Sequence, residues 1–78
     1  MYEVTLAETG DDTLETATIS EWMVDEGDTV EEGDDLVEIT TDKAAFTVAC
    51  PVAGTIRELC AVEGDEVSMD DVLCIIDD

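Results

Sequence analysis

The feature that most limits the folds open to this chain is an internal repeat. Displacing the sequence by 37 positions lays residues 18–41 over residues 55–78 without a gap. Ten of the 24 aligned pairs are identical: Thr18/Thr55, Ile19/Ile56, Glu21/Glu58, Glu26/Glu63, Gly27/Gly64, Asp28/Asp65, Val30/Val67, Asp34/Asp71, Leu36/Leu73 and Ile39/Ile76. That frequency exceeds what an acid-rich composition gives by chance. Each copy reads as a strand, a Glu-Gly-Asp turn, a valine, an acidic turn and a second strand. The strands are expected over 17–24 and 36–41 in the first copy, and over 55–62 and 72–76 in the second. Gly27 and Gly64 supply positive φ where the chain reverses, with Asp28 and Asp65 as turn neighbours.

The apolar runs are short, rich in Val, Ile and Thr, and bounded by turn residues. None sustains a 3.6-residue period, so the chain is all-β. Two related halves of three or four strands would pack as a small flattened barrel or sandwich, its edges guarded by acidic side chains. Trp22, Met23, Ile56, Leu59 and Ile75 are assigned to the core or just beneath the surface. With 78 residues there is room for one domain, residues 1–78, and a real but thin core.

Between the copies lies the best-defined hairpin. If Asp42-Lys43 is a two-residue turn, Ile39 falls opposite Phe46, Glu38 opposite Thr47 and Val37 opposite Val48. Apolar then meets apolar and polar meets polar, an agreement that a one-residue slip would destroy. Neither turn residue is glycine, so a type I-like turn is expected rather than type I′, with Asp42 bonding nearby backbone amides. Pro51 ends the strand by forcing Cys50 to be extended, and Gly54 gives the freedom to enter the next one.

Lys43 stands at that apex, and it is the chain's only lysine; with one arginine it faces 23 acidic residues and a net charge of −21. A lone lysine on a hairpin ordinarily reads as a solubilising charge. In a chain almost purged of bases, Asp or Glu would serve that end, so the survivor is better read as an amine kept for acylation at its ε-nitrogen.

The charge also bounds the partners. It repels nucleic acid and anionic membranes and leaves basic protein surfaces as natural partners. Self-repulsion at this density is relieved by salt, consistent with origin in a high-salt cytoplasm. No basic-flanked signal segment or membrane-length apolar run occurs, and the chain is read as cytoplasmic. Cys50, Cys60 and Cys74 have no C-x-x-C spacing and no histidine to join them on zinc, so they are read as small, buried, reduced hydrophobes. The acidic turns lack calcium-loop spacing and are read as solvated. With no nucleophile paired with a base, no phosphate loop and no metal cluster, the chain reads as a carrier rather than a catalyst.

Thr41-Asp42-Lys43-Ala44, together with residues 50–56, 3–6, 26–30, 63–67 and Trp22, resembles the lipoyl domains of the biotinyl/lipoyl attachment family. The resemblance implies a barrel-sandwich hybrid of two four-stranded antiparallel sheets with quasi-twofold symmetry, and lipoate attached to Lys43 as an amide. Asp42 and Ala44, flanking the lysine, resemble the lipoyl rather than the biotinyl pattern. Within that family the chain resembles the lipoyl domains of dihydrolipoyl acyltransferases in 2-oxo acid dehydrogenase complexes. The implied partners are a lipoate ligase or lipoyl transferase, a thiamine-diphosphate-dependent 2-oxo acid dehydrogenase, the acyltransferase core and dihydrolipoyl dehydrogenase. Lipoate would act as a swinging arm carrying acyl groups and electrons among them. The loop Thr9, Gly10, Asp11, Asp12, Thr13 and Leu14, where the family often has Gly-Glu-Gly, corresponds to the segment that helps a dehydrogenase recognise its domain. Two alternatives stay open: a biotin carrier domain of a carboxylase and an acidic interaction module.

Overall fold

The computed structural model describes residues 1–9 and 15–78. Among these residues eight strands follow one another: β1 (Tyr2–Thr5), β2 (Thr16–Trp22), β3 (Thr29–Val30), β4 (Asp35–Thr40), β5 (Ala45–Ala49), β6 (Gly54–Leu59), β7 (Glu66–Ser68) and β8 (Val72–Asp77), with a 3-10 turn at Leu6–Thr9. They form two antiparallel four-stranded sheets, ordered β1-β8-β6-β3 and β5-β4-β2-β7. The all-β architecture read from the strand pattern and the two four-stranded sheets that the resemblance implied are therefore present.

The 37-residue repeat becomes a structural symmetry that can be followed bond by bond. Gly27 N–H donates to Ile56 O and Gly64 N–H to Ile19 O, both at 2.8 Å. Ile56 N–H donates to Asp28 O and Ile19 N–H to Asp65 O, again both at 2.8 Å. Each half thus closes the other's Glu-Gly-Asp turn. The short strands also cross over: β3 pairs with β6 of the second copy, and β7 with β2 of the first. Neither copy can complete its sheet alone.

The acidic turns are more than solvated. Asp28 and Asp65 each accept a backbone N–H three residues back, from Asp25 at 2.9 Å and Val62 at 3.1 Å. Asp34 and Asp71 do the same for Glu31 and Ser68, both at 2.9 Å. These carboxylates act as turn caps, satisfying donors that the sheets leave over. Gly27 and Gly64 both lie at φ +92° and Gly33 at φ +95°, conformations that side-chain-bearing residues rarely adopt.

The core is apolar among the described residues, with Leu6, Ile19, Leu36, Ile39, Ile56, Leu73 and Ile76 among its fully buried side chains. Ile56 belongs there as expected, and Trp22, Leu59 and Ile75 are half-buried. Trp22 also donates its indole N–H to Ala61 O at 2.9 Å. Met23 is instead 42% exposed. The cause is a bulge: register shifts between Ile19 and Glu21 in β2 and, symmetrically, between Ile56 and Glu58 in β6. A bulge adds one residue to the pleat, so the alternation inverts beyond it and Met23 turns outward. Its repeat partner Cys60 turns outward for the same reason. Cys50 and Cys74 are buried, but Cys60 is exposed, against the expectation for all three.

Strands β2 and β6 also end earlier than expected, at Trp22 and Leu59, because the bulges bend them away. Gly54 needs correcting as well. Its φ is not positive, and it is the first residue of β6. A Cβ there would collide with the Asp77 carbonyl oxygen and lie 2.8 Å from Ile76 Cγ2. Glycine is required for the closeness of β8, not for flexibility.

Candidate functional site

The β4–β5 hairpin has the register anticipated from side-chain alternation: Ile39 opposite Phe46, Glu38 opposite Thr47, Val37 opposite Val48, and Thr40 opposite Ala45. Ile39 and Val48 anchor it in the core, and Phe46 packs against that core half-buried. The base of the hairpin is thereby rigid, while residues 42–45 stand exposed at its end.

The turn is closed by Thr41 N–H donating to Ala44 O at 2.8 Å. Asp42 and Lys43 both keep negative φ, which excludes type I′ and agrees with the type I-like expectation. The brace differs from the one expected. It is Thr41 Oγ1, not the Asp42 carboxylate, that accepts from Lys43 N–H and Ala44 N–H, each at 3.2 Å, and donates to Ala44 O at 3.1 Å. Thr41 was legible only as a hydroxyl residue beside a turn, a weak signal that the adjacent Asp42 masked.

Lys43 is exposed and, among the described residues, has no acidic side chain within 4.0 Å. A shallow groove opens beside it, its lining including Glu15, Thr16, Thr18, Thr40, Phe46 and Glu66. It forms because Thr18 in β2 lies between Thr40 of β4 and Glu66 of β7, giving small polar side chains along the outer face. The other cations sit where the termini meet: the N-terminal amine is 2.7 Å from Asp78 Oδ1 and Arg57 is 3.3 Å from Asp77 Oδ1. By the repeat, that end is equivalent to the hairpin tip, since Asp77 and Asp78 correspond to Thr40 and Thr41. Lys43 is thus the only basic side chain at its own end.

Asp42 and Ala44 flank the lysine on the exposed turn, as the sequence placed them. Of the proposed recognition loop, Thr9 ends the 3-10 turn, and Gly10, Asp11, Asp12, Thr13 and Leu14 lie outside the described residues. Among the described residues, no cluster of His, Cys, Asp or Glu is arranged to hold a metal ion. Burial pushes the Cys74 thiol up to about 12, and burial also raises Cys50, so neither is a thiolate near neutral pH. Among the described residues the arrangement offers one lysine amine, exposed on a rigid mount, and no group positioned to act on it. An extended carboxylic cofactor joined as an amide fits such a mount, since only Nζ need be reached.

A family model described as "Biotin-requiring enzyme", for biotin and lipoyl attachment, matches residues 2–76. The dihydrolipoyllysine-residue acetyltransferase component of the pyruvate dehydrogenase complex of Corynebacterium glutamicum is 40% identical over 77 residues, which are 99% of this chain and 11% of that protein. The dihydrolipoyllysine-residue succinyltransferase component of the 2-oxoglutarate dehydrogenase complex of Staphylococcus saprophyticus is 37% identical over 76 residues, 97% of this chain and 18% of that protein. The chain therefore spans less than a fifth of the length of these relatives. In fold it is similar to the lipoyl domain of the 2-oxoglutarate dehydrogenase complex of Azotobacter vinelandii, with a TM-score of 0.78, 23% identity, and coverage of 100% of this chain and 98% of that one. It also resembles part of the Kluyveromyces lactis urea carboxylase, with a TM-score of 0.71 and 26% identity over 81% of this chain and 6% of that one. With the matched model running through both sheets and the lysine hairpin, the chain belongs to the biotin/lipoyl attachment family.

Proposed function

We propose that this chain is a lipoyl carrier, with lipoate joined to Lys43 Nζ as an amide. The observation that carries the reading is the chain's only lysine, exposed and, among the described residues, without an ion pair at a braced hairpin apex, in a sequence 40% identical to a dihydrolipoyllysine-residue acetyltransferase component. When bound, lipoate supplies a dithiolane able to take up electrons and carry an acyl group as a thioester. The chain's own residues mount and present it: Ile39, Val48 and Phe46 fix the hairpin, and the Thr41 hydroxyl closes its turn. Tethering replaces diffusion by motion at high local concentration, which requires a mount that stays folded while the arm moves.

The partners we propose are a lipoate ligase or lipoyl transferase, a thiamine-diphosphate-dependent 2-oxo acid dehydrogenase, an acyltransferase core and dihydrolipoyl dehydrogenase, met in the cytoplasm. Acylation removes the one basic side chain at this end and leaves Glu15, Asp42 and Glu66. Partner surfaces bearing Lys or Arg match that field. A biotin carrier is the second reading, favoured by the likeness to urea carboxylase; Asp42 and Ala44 on either side of the lysine favour lipoate. Intact mass and peptide mapping after parallel incubation with lipoate ligase, lipoate and ATP, and with biotin ligase, biotin and ATP, test the choice. A lipoyl increment on Lys43 alone is expected, a biotinyl increment alone would replace the reading, and no increment on folded protein would end both.

A further inference from the structure

We propose that Thr41 is the positioning residue of the attachment site: its hydroxyl, rather than the Asp42 carboxylate, fixes the backbone on which Lys43 is offered for acylation. The inference rests on the carrier reading. A threonine hydroxyl has one proton to donate and two lone pairs to accept with. All three are engaged at the tip, in the bonds from Lys43 N–H and Ala44 N–H at 3.2 Å and to Ala44 O at 3.1 Å. The amides on both sides of the Lys43 Cα are therefore held by one side chain. Asp42 takes part in none of these contacts.

The tip needs that brace. A two-residue turn without positive φ matches the twist of its flanking strands poorly, and residues 42–45 are too exposed for the core to hold them. Lys43 has no ion pair among the described residues to orient it. Thr41 itself is half-buried and joins the tip to the end of β4.

In the acylation, lipoate activated by ATP as a mixed anhydride with AMP meets the deprotonated amine. The Nζ–C bond forms, the C–O bond to AMP breaks, AMP leaves with the electron pair, and the nitrogen releases one proton to solvent. Thr41 touches none of these atoms. Its effect is on how much of the time the backbone presents Nζ in the geometry the ligase binds, and a fractional population raises apparent KM in proportion. Losing the hydroxyl should lower kcat/KM about tenfold, the scale of one or two lost hydrogen bonds, with the change in KM rather than kcat.

The test measures initial rates of lipoylation of the full chain by lipoate ligase across substrate-chain concentrations, with amide hydrogen exchange at Lys43 and Ala44 in the unmodified protein. Thr41→Val keeps the branched shape and removes the hydroxyl; Thr41→Ala repeats the test without the branch, should Val disturb folding. Both are expected to raise KM and quicken exchange at the two amides, while Thr41→Ser restores both readouts and Asp42→Ala leaves the exchange unchanged. Wild-type labelling by Thr41→Val, failure of Thr41→Ser to rescue, or unaltered exchange would overturn the positioning role alone. Wild-type chain that accepts no lipoyl group would instead remove the carrier reading and this inference with it.

Discussion

Gly54→Ala is the substitution whose cost follows most directly from the geometry. The added methyl would collide with the Asp77 carbonyl oxygen and stand 2.8 Å from Ile76 Cγ2 and 3.0 Å from the Asp77 carbonyl carbon. Two of these obstacles are backbone, so no rotamer change clears them. Strand β6 must instead move from β8, straining the pairs Thr55 with Asp77 and Ile56 with Ile76. Overpacking of this kind costs about 1–3 kcal/mol, and blockage by backbone puts this site at the upper end. The alanine returns about 0.4–1 kcal/mol by restricting the unfolded chain. A net loss of about 2 kcal/mol remains, which for a domain of this size lowers the thermal midpoint by about 8–16 °C. Gly27→Ala is the control, because its Cβ would meet nothing within 4 Å and only the φ of +92° opposes it. That strain costs about 1–2 kcal/mol, and the same return of about 0.4–1 kcal/mol leaves a net loss of about 1 kcal/mol. Urea and thermal melts followed by Trp22 fluorescence measure both variants. A Gly54→Ala loss no larger than that of Gly27→Ala would refute the claim that strand proximity demands glycine there.

Lys43→Arg should fold with an unchanged midpoint yet take no lipoyl mass, because a guanidinium does not replace the acylated amine; lipoate found on that variant would move the site elsewhere. In native protein at pH 8, a thiol reagent should label Cys60 first and leave Cys50 and Cys74 unlabelled until denaturant is added. All three thiols are raised by burial, Cys74 to about 12, so labelling should quicken as pH rises, and access decides the order. Prompt labelling of Cys74 would contradict its burial. Salt should raise the urea midpoint, since a net charge of −21 is screened as the Debye length falls from about 10 Å at 0.1 M to about 3 Å at 1 M. The two ion pairs among the described residues that salt would weaken are solvent-exposed and count for little. An unchanged midpoint across that range would show that self-repulsion does not limit the fold.

What the sequence determined by itself was whatever depends on period and neighbour. Strand side chains alternate with period two, so apolar and polar positions on either side of Asp42-Lys43 could match in only one register, and the pairs Ile39 with Phe46 and Val37 with Val48 are present. The repeat announced two equivalent halves, and Gly27 and Gly64 do adopt the positive φ their turns require. The single lysine at the apex was visible for the same reason, since a turn and its flanks are local.

Tertiary structure decided what depends on residues far apart in the chain. The exchange of β3 and β7 between the halves involves strands of two and three residues, too short to carry a pattern. The paired bulges, which turn Met23 and Cys60 outward, arise where one strand must serve two neighbours. Gly54 looked like a flexible joint until β8 was seen against it. Local sequence pointed to Asp42 as the turn's cap; only the three-dimensional path of β4 into the tip gave the Thr41 hydroxyl, and not that carboxylate, the two amides that hold Lys43.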